Sequence, residues 1–232
     1  MVSQLIKKTM KKLLFSAIIG ASFAGLALVA KAQIVVPGTS DPWLAGQPNG
    51  TTASSGDTAP AESPVYAGSV SAGSTITWSA TGLVFYEPGT PSDGPNGETG
   101  YILSDPAQNG IAGLNNVPVD GLVGVFLGPG TPSGTAPAAL DFSSIGLNYT
   151  HLTPGVDQPF YMGDGSTESL TVPTGATRFF LGTVDGFGWY NNIGSFDVTL
   201  TNVSGSVPDG GSAMAMLGVA FGVLASVRRK TS

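Results

Sequence analysis

The sequence has 232 residues, 34 of them glycine and 17 proline, with a tenth of its residues charged and no cysteine. That composition reads as one all-β domain with processing segments at its ends, and it excludes disulfides, zinc–thiolate sites and thiol catalysis. Eight of the nine basic residues lie near the two ends, which leaves Arg178 alone against fourteen acids between residues 33 and 206. So acidic a surface excludes nucleic acid, whose binding needs Lys and Arg to neutralise phosphates, and favours divalent cations.

Residues 1–32 have the layout of a secretory signal peptide: a basic stretch with Lys7, Lys8, Lys11 and Lys12, an apolar run, and Ala30-Lys31-Ala32 as a small-x-small cleavage site before Gln33. Ala30 and Ala32 are the processing residues of that reading. Residues 33–205 are the expected β-sandwich domain. Within it, residues 34–64 are rich in Pro, Gly, Ser, Thr and Asp, predicting a short edge strand at Trp43 and then a long ordered loop. Residues 65–70 and 75–80 predict a hairpin around Ser71-Ala72-Gly73-Ser74, with Ile76 and Trp78 on the buried face.

Residues 82–86 read as a further strand ending at Tyr86. Residues 88–116 read as a long loop holding Glu98, Asp105, Gln108 and Asn109. The continuous apolar run at residues 121–128 suits a central strand covered on both faces. Residues 159–162, 169–172 and 178–184 complete the strands. The single histidine, His151, lies in a loop and is given no role, and Arg178 is expected to pair with a neighbouring carboxylate.

The run Asp185-Gly186-Phe187-Gly188-Trp189-Tyr190-Asn191-Asn192-Ile193-Gly194-Ser195-Phe196 follows. It combines a carboxylate, two amide oxygens and glycines that let carbonyls turn inward, the chemistry of an oxygen cage for Ca²⁺, which takes roughly 6–8 oxygen ligands. The same residue types also populate ordinary hairpin turns. Phe196, Val198 and Leu200 then alternate with Asp197, Thr199 and Thr201 as a half-buried strand. Phe187, Trp189 and Tyr190 are candidates either to stack on a ligand or to pack.

At residues 206–232, Val207-Pro208-Asp209-Gly210-Gly211 precedes a stretch from 213 to 227 without charge, closed by Arg228-Arg229-Lys230. As a helix, that uncharged stretch would span about 22 Å, short for a bilayer core of about 30 Å. The cationic end would stay cytoplasmic.

Two resemblances follow from these residues. The run from Leu181-Gly182-Thr183-Val184-Asp185 to Asn191-Asn192-Ile193-Gly194-Ser195-Phe196, with Ala80-Thr81-Gly82-Leu83-Val84-Phe85-Tyr86 about a hundred residues earlier, resembles the PA-I galactophilic lectin family. That resemblance implies a jelly-roll-like antiparallel β-sandwich and a Ca²⁺ held by the side chains of Asp185, Asn191 and Asn192 and the carbonyls of Tyr86 and Trp189. Two vicinal sugar hydroxyls would complete the shell, hydrogen-bonded to Asp185 and Asn191. Asp105-Pro106-Ala107-Gln108 is the nearest match to the family's His-Pro-x-Gln sugar contact, so Gln108 is retained and Asp105 replaces the His. The tail resembles PEP-CTERM sorting signals, with Val207-Pro208-Asp209-Gly210-Gly211 as a variant motif, which implies a hydrophobic sorting helix, a transient inner-membrane anchor and an exosortase-type enzyme as partner.

Taken together, the sequence predicts an exported, Ca²⁺-dependent carbohydrate-binding protein of the cell surface or extracellular matrix, with glycans or exopolysaccharide as partners. The alternative is a structural matrix or adhesin protein whose calcium, if bound, only stiffens the last hairpin. No nucleophile elbow, zinc motif or placed histidine points to an enzyme.

Overall fold

The computed structural model describes residues 33–53, 56–90 and 92–204. The expected signal peptide, with Ala30 and Ala32, lies outside the described residues, as does the tail with Val207, Pro208, Asp209, Gly210, Gly211, Arg228 and Arg229.

The described chain is an antiparallel β-sandwich. One sheet has the order β1 (Gln33–Pro37), β12 (Ile193–Leu200), β4 (Trp78–Phe85), and the facing sheet the order β2 (Val65–Ser69), β11 (Arg178–Thr183), β7 (Leu122–Leu127), β9 (Pro159–Tyr161). Two small sheets flank them: β3 (Thr75–Ile76) with β10 (Leu170–Thr171), and β5 (Ile102–Asp105), β6 (Leu114–Pro118) and β8 (Leu140–Asp141). The β6–β8 pair is parallel, and a single helical turn, α1 (Phe142–Ile145), follows β8.

Alternation builds the core, as period-2 strands require. Phe196, Val198 and Leu200 of β12 and Val36 of β1 point inward against Ala67, Phe126, Phe179 and Leu181 of the other sheet. All of β7 is buried, as its uninterrupted apolar run predicts. Phe126, Phe160 and Phe179 meet at centroid distances of 4.7–6.1 Å. Gly124 permits this, since a Cβ there would lie 2.7 Å from the Phe160 ring.

Three local readings change. Trp43 lies in a buried 3-10 turn, Pro42–Leu44, rather than an edge strand; Asp41 caps it by accepting from the Trp43 N–H at 2.8 Å, and Pro42 opens it. The outer strand is β1 instead. Residues 65–80 do not form a hairpin, because β2 pairs with β11 and β3 with β10. The long loop contains β5, which pairs with β6.

Arg178 directs its guanidinium to main-chain oxygens, with Nε donating to Gly128 O at 2.8 Å and Nη2 donating to Gly130 O. It lies 5.7 Å over the Phe180 ring, with Asp157 near enough to feel its charge. His151 is exposed and bonds Ser169 and Thr171 through its two ring nitrogens, consistent with a supporting part on β10.

Candidate cation site

The ends of five strands bring the loops of interest together. β11 leads out through Val184 to Asp185, and β7 begins where β11 ends, with Thr183 opposite Leu122. β12 starts at Ile193, paired with Phe85 of β4 and followed by Ser195 opposite Pro37 of β1. One step beyond the Ile193–Phe85 pair, Asn192 and Tyr86 are the next neighbours, so the two distant segments read as one site in the sequence meet at the same strand ends.

Between β11 and β12 the chain makes a left-handed turn at Gly188, φ +88°, and a 3-10 turn over Trp189–Asn191. Trp189 is 1 % exposed, its Nε1 donates to Thr183 O at 3.1 Å, and its ring meets Trp43 edge-on at 5.7 Å. Trp43 in turn donates from Nε1 to Ala112 O at 2.9 Å. Two indoles therefore floor the site, and Trp189 packs rather than stacks on a ligand. Its carbonyl accepts the Asn192 N–H at 3.1 Å. Phe187 and Tyr190, by contrast, are 73 % and 66 % exposed.

Asn192 is buried, and its Nδ2 donates to Gly38 O at 3.1 Å, an oxygen that also accepts from Thr183 Oγ1 at 2.7 Å. Those bonds fix the amide with its Oδ1 turned away from any donor. Asp185 accepts weakly from Phe187 N–H at 3.3 Å through Oδ1. Its Oδ2 has no hydrogen-bond partner, nor has Oδ1 of Asn191.

The structure adds acids that the sequence reading left among turn residues. Asp41 is fully buried, with Oδ1 capping the 3-10 turn and Oδ2 unpartnered. It reaches the site because Gly182 lets the segment carrying it lie on β11: a Cβ at Gly182 would meet Ser40 O at 2.5 Å and Pro42 at 3.0 Å. Asp57 accepts the Tyr190 N–H at 3.0 Å and so ties a further loop to the same turn. Asp105 is buried with Oδ2 unpartnered, and it lies near enough to Asp185 to feel its charge. Gln108 lies in the next turn, where its main chain exchanges hydrogen bonds with Ile111.

Among the described residues, every buried side-chain atom without a hydrogen-bond partner is an oxygen of Asp41, Asp93, Glu98, Asp105, Asp120, Asp185, Asn191 or Asn192. All eight belong to this end of the sandwich. Orphaned acceptors of one kind in one place mark a region short of positive charge. Their titration reflects it. Burial, then repulsion from Asp57, Asp105 and Asp185, pushes the Asp41 carboxyl up to about 8. Burial and Asp185 push Asp105 up to about 7. Asp185 itself is raised to about 6, chiefly by burial.

Among the described residues no three carboxylate or imidazole groups converge as a metal cage. An ion at Asp185 would therefore draw on the Asn191 and Asn192 amides and on main-chain oxygens as well as carboxylate. Hard oxygens of this mixed kind suit Ca²⁺.

Residues 206–231 match the family model of the VPDSG-CTERM motif. Here Gly210 stands where that motif's name has Ser. The motif suggests an exported, surface-directed protein processed by a sorting enzyme of the exosortase type. No curated protein matches the chain.

Proposed function

We propose that the protein is an exported Ca²⁺-dependent carbohydrate-binding module, displayed at the cell surface or in the extracellular matrix after its tail is processed. The observation that carries the reading is the set of unpartnered oxygens on Asp185, Asn191 and Asn192 beside the Tyr86 strand end, with the exposed rings of Phe187 and Tyr190 on the same loop. The resemblance to galactophilic lectins supports the same residues. With the Tyr86 and Trp189 carbonyls, five protein oxygens would surround the ion. A shell of roughly 6–8 then leaves room for two adjacent sugar hydroxyls, and the two rings offer faces for the sugar. Modest single-site affinity would be raised by many copies on one surface.

A second reading, a structural ion in a matrix or adhesin protein, is favoured by one observation: Asp185 and Asn192 are only 5 % and 4 % exposed. Calorimetry separates the two. The purified protein is titrated with Ca²⁺ and the loaded form with a glycan panel, alongside Asp185→Ala. Sugar heat that requires Ca²⁺ and vanishes in the variant supports the lectin; Ca²⁺ binding with no response to any glycan supports the structural ion. If Ca²⁺ does not bind, the lectin and the structural ion both fail, and Asp185 to Asn192 is an ordinary turn.

A further inference from the structure

Asp120 is among the most enclosed acids of the domain, and the site above makes no use of it. It stands in the turn between β6 and β7 with φ +64°, and its N–H donates to Val184 O at 2.8 Å, which holds it beside Asp185. Its side chain is 0 % exposed, yet neither Oδ1 nor Oδ2 has a hydrogen-bond partner. Burial most of all, then Asp93, disfavours its ionised form, with Asp185 and Glu98 adding to this and the Tyr86 N–H working against it.

Asp93 and Glu98 each bury one unpartnered oxygen as well, Oδ2 and Oε2. Their segment is clamped over the Asp120 turn by main-chain bonds: Asp93 and Val84 exchange two at 2.9 Å, Glu98 N–H donates to Val119 O at 2.9 Å, and Leu122 N–H to Pro95 O at 2.9 Å. These carboxylates are thus held together by the fold. Arg178, the one base among the described residues, is engaged at the far end of β11.

A carboxylate enclosed without a donor or a counter-charge is strongly disfavoured, and a divalent cation removes the penalty for several oxygens at once. We propose that Asp120 and Asp93, with Glu98 beside them, form a second Ca²⁺ site, separate from the Asn191–Asn192 loop and adjacent to it through Asp185. Since among the described residues no three carboxylates converge on one point, the ion takes two carboxylates and completes its shell with main-chain oxygens and water, as Ca²⁺ commonly does. Asp185 then lies near both sites.

The test is calorimetric titration of the chelator-treated full-length protein with CaCl₂ at pH 7.5, in wild type, Asp93→Asn, Glu98→Gln, Asp120→Asn and Asn192→Ala. The wild type is expected to bind two equivalents. Asp93→Asn and Asp120→Asn should lose one of them or weaken it by at least roughly tenfold, with a smaller weakening in Glu98→Gln. Asn192→Ala should lose the other and keep this one. If Asp120→Asn does not fold, the partly exposed Asp93 carries the comparison. A single wild-type equivalent that Asn192→Ala abolishes would overturn the proposal while leaving the lectin loop standing. A single equivalent that Asp93→Asn abolishes and Asn192→Ala spares would do the reverse. Unchanged stoichiometry and affinity in Asp93→Asn, or no binding at all, also overturns it.

Discussion

Replacing Asp41 by Asn removes a titratable carboxyl while keeping the oxygen that caps the Trp43 turn, and the size of its effect depends on pH. The Asp41 carboxyl is pushed from 3.8 up to about 8, mostly by burial. Between those values the folded protein keeps a proton that the unfolded chain has released, so stability is full below 3.8 and falls as pH rises toward 8. Each pH unit in that window is worth about 1.4 kcal/mol, so by pH 7 Asp41 alone removes about 4 kcal/mol, a large share of the roughly 5–15 kcal/mol typical of a domain. Asn does not titrate. In chelator at pH 7, Asp41→Asn should therefore be more stable than wild type by up to about 4 kcal/mol, and the gap should close at pH 4. Protonating one carboxyl relieves its neighbours, so the gains from Asp41, Asp105 and Asp185 do not add. Urea unfolding followed by the fluorescence of the buried Trp43, Trp78 and Trp189 reads the difference. Excess Ca²⁺ should narrow or reverse the gap, because the ion stabilises the ionised cluster of the wild type. A variant less stable than wild type at pH 7 in chelator, or a gap that ignores pH, would refute the account of this cluster as a charge-strained site.

Asp185→Ala should remove the loop ion's share of the stabilisation by Ca²⁺, about 2.7 kcal/mol at a hundredfold excess over its Kd, and leave only what the second site supplies; differential scanning calorimetry measures it as a smaller rise in melting temperature, and an undiminished rise counts against the loop. Gly182→Ala should destabilise the fold by about 1–3 kcal/mol, because the new Cβ meets Ser40 O and Pro42; an unchanged urea midpoint would mean that the Asp41 segment is not held against β11. Phe187→Ala and Tyr190→Ala, at 73 % and 66 % exposed, should leave the melting temperature and Ca²⁺ affinity alone and weaken glycan binding in the same calorimetric titration. Equal glycan binding would remove the two rings from the ligand face.

Strands were legible where pattern alone decides. The uninterrupted apolar run of β7 and the alternation of β12 settle both burial and orientation without knowledge of partners. Pairing was less legible, because the turn at residues 71–74 joins strands of two different sheets, and local alternation carries no record of which strand lies alongside. The strand at Trp43 was misread although Asp41-Pro42 is a helix-start signal, since its three residues are too few to show a period. The candidate loop was legible as a cluster of Asp and Asn. Asp41, Asp57 and Asp120 were not, because each looks locally like a turn or cap residue. Only the convergence of β1, β4, β7, β11 and β12 puts them around Asp185.

That convergence also gives the domain a polarity. Its last described contact is Ser204, bridged to Ser69 by two main-chain bonds of 2.7 and 2.9 Å. Ser69 pairs with Arg178, the first residue of β11, whereas Asp185 follows the last. A six-residue strand separates the two ends by about 20 Å. The matched sorting motif begins two residues after Ser204, at 206. On the reading proposed above, a domain held by its tail would be held near Ser204 at the Arg178 end of β11, with Asp185, Phe187 and Tyr190 beyond the opposite end.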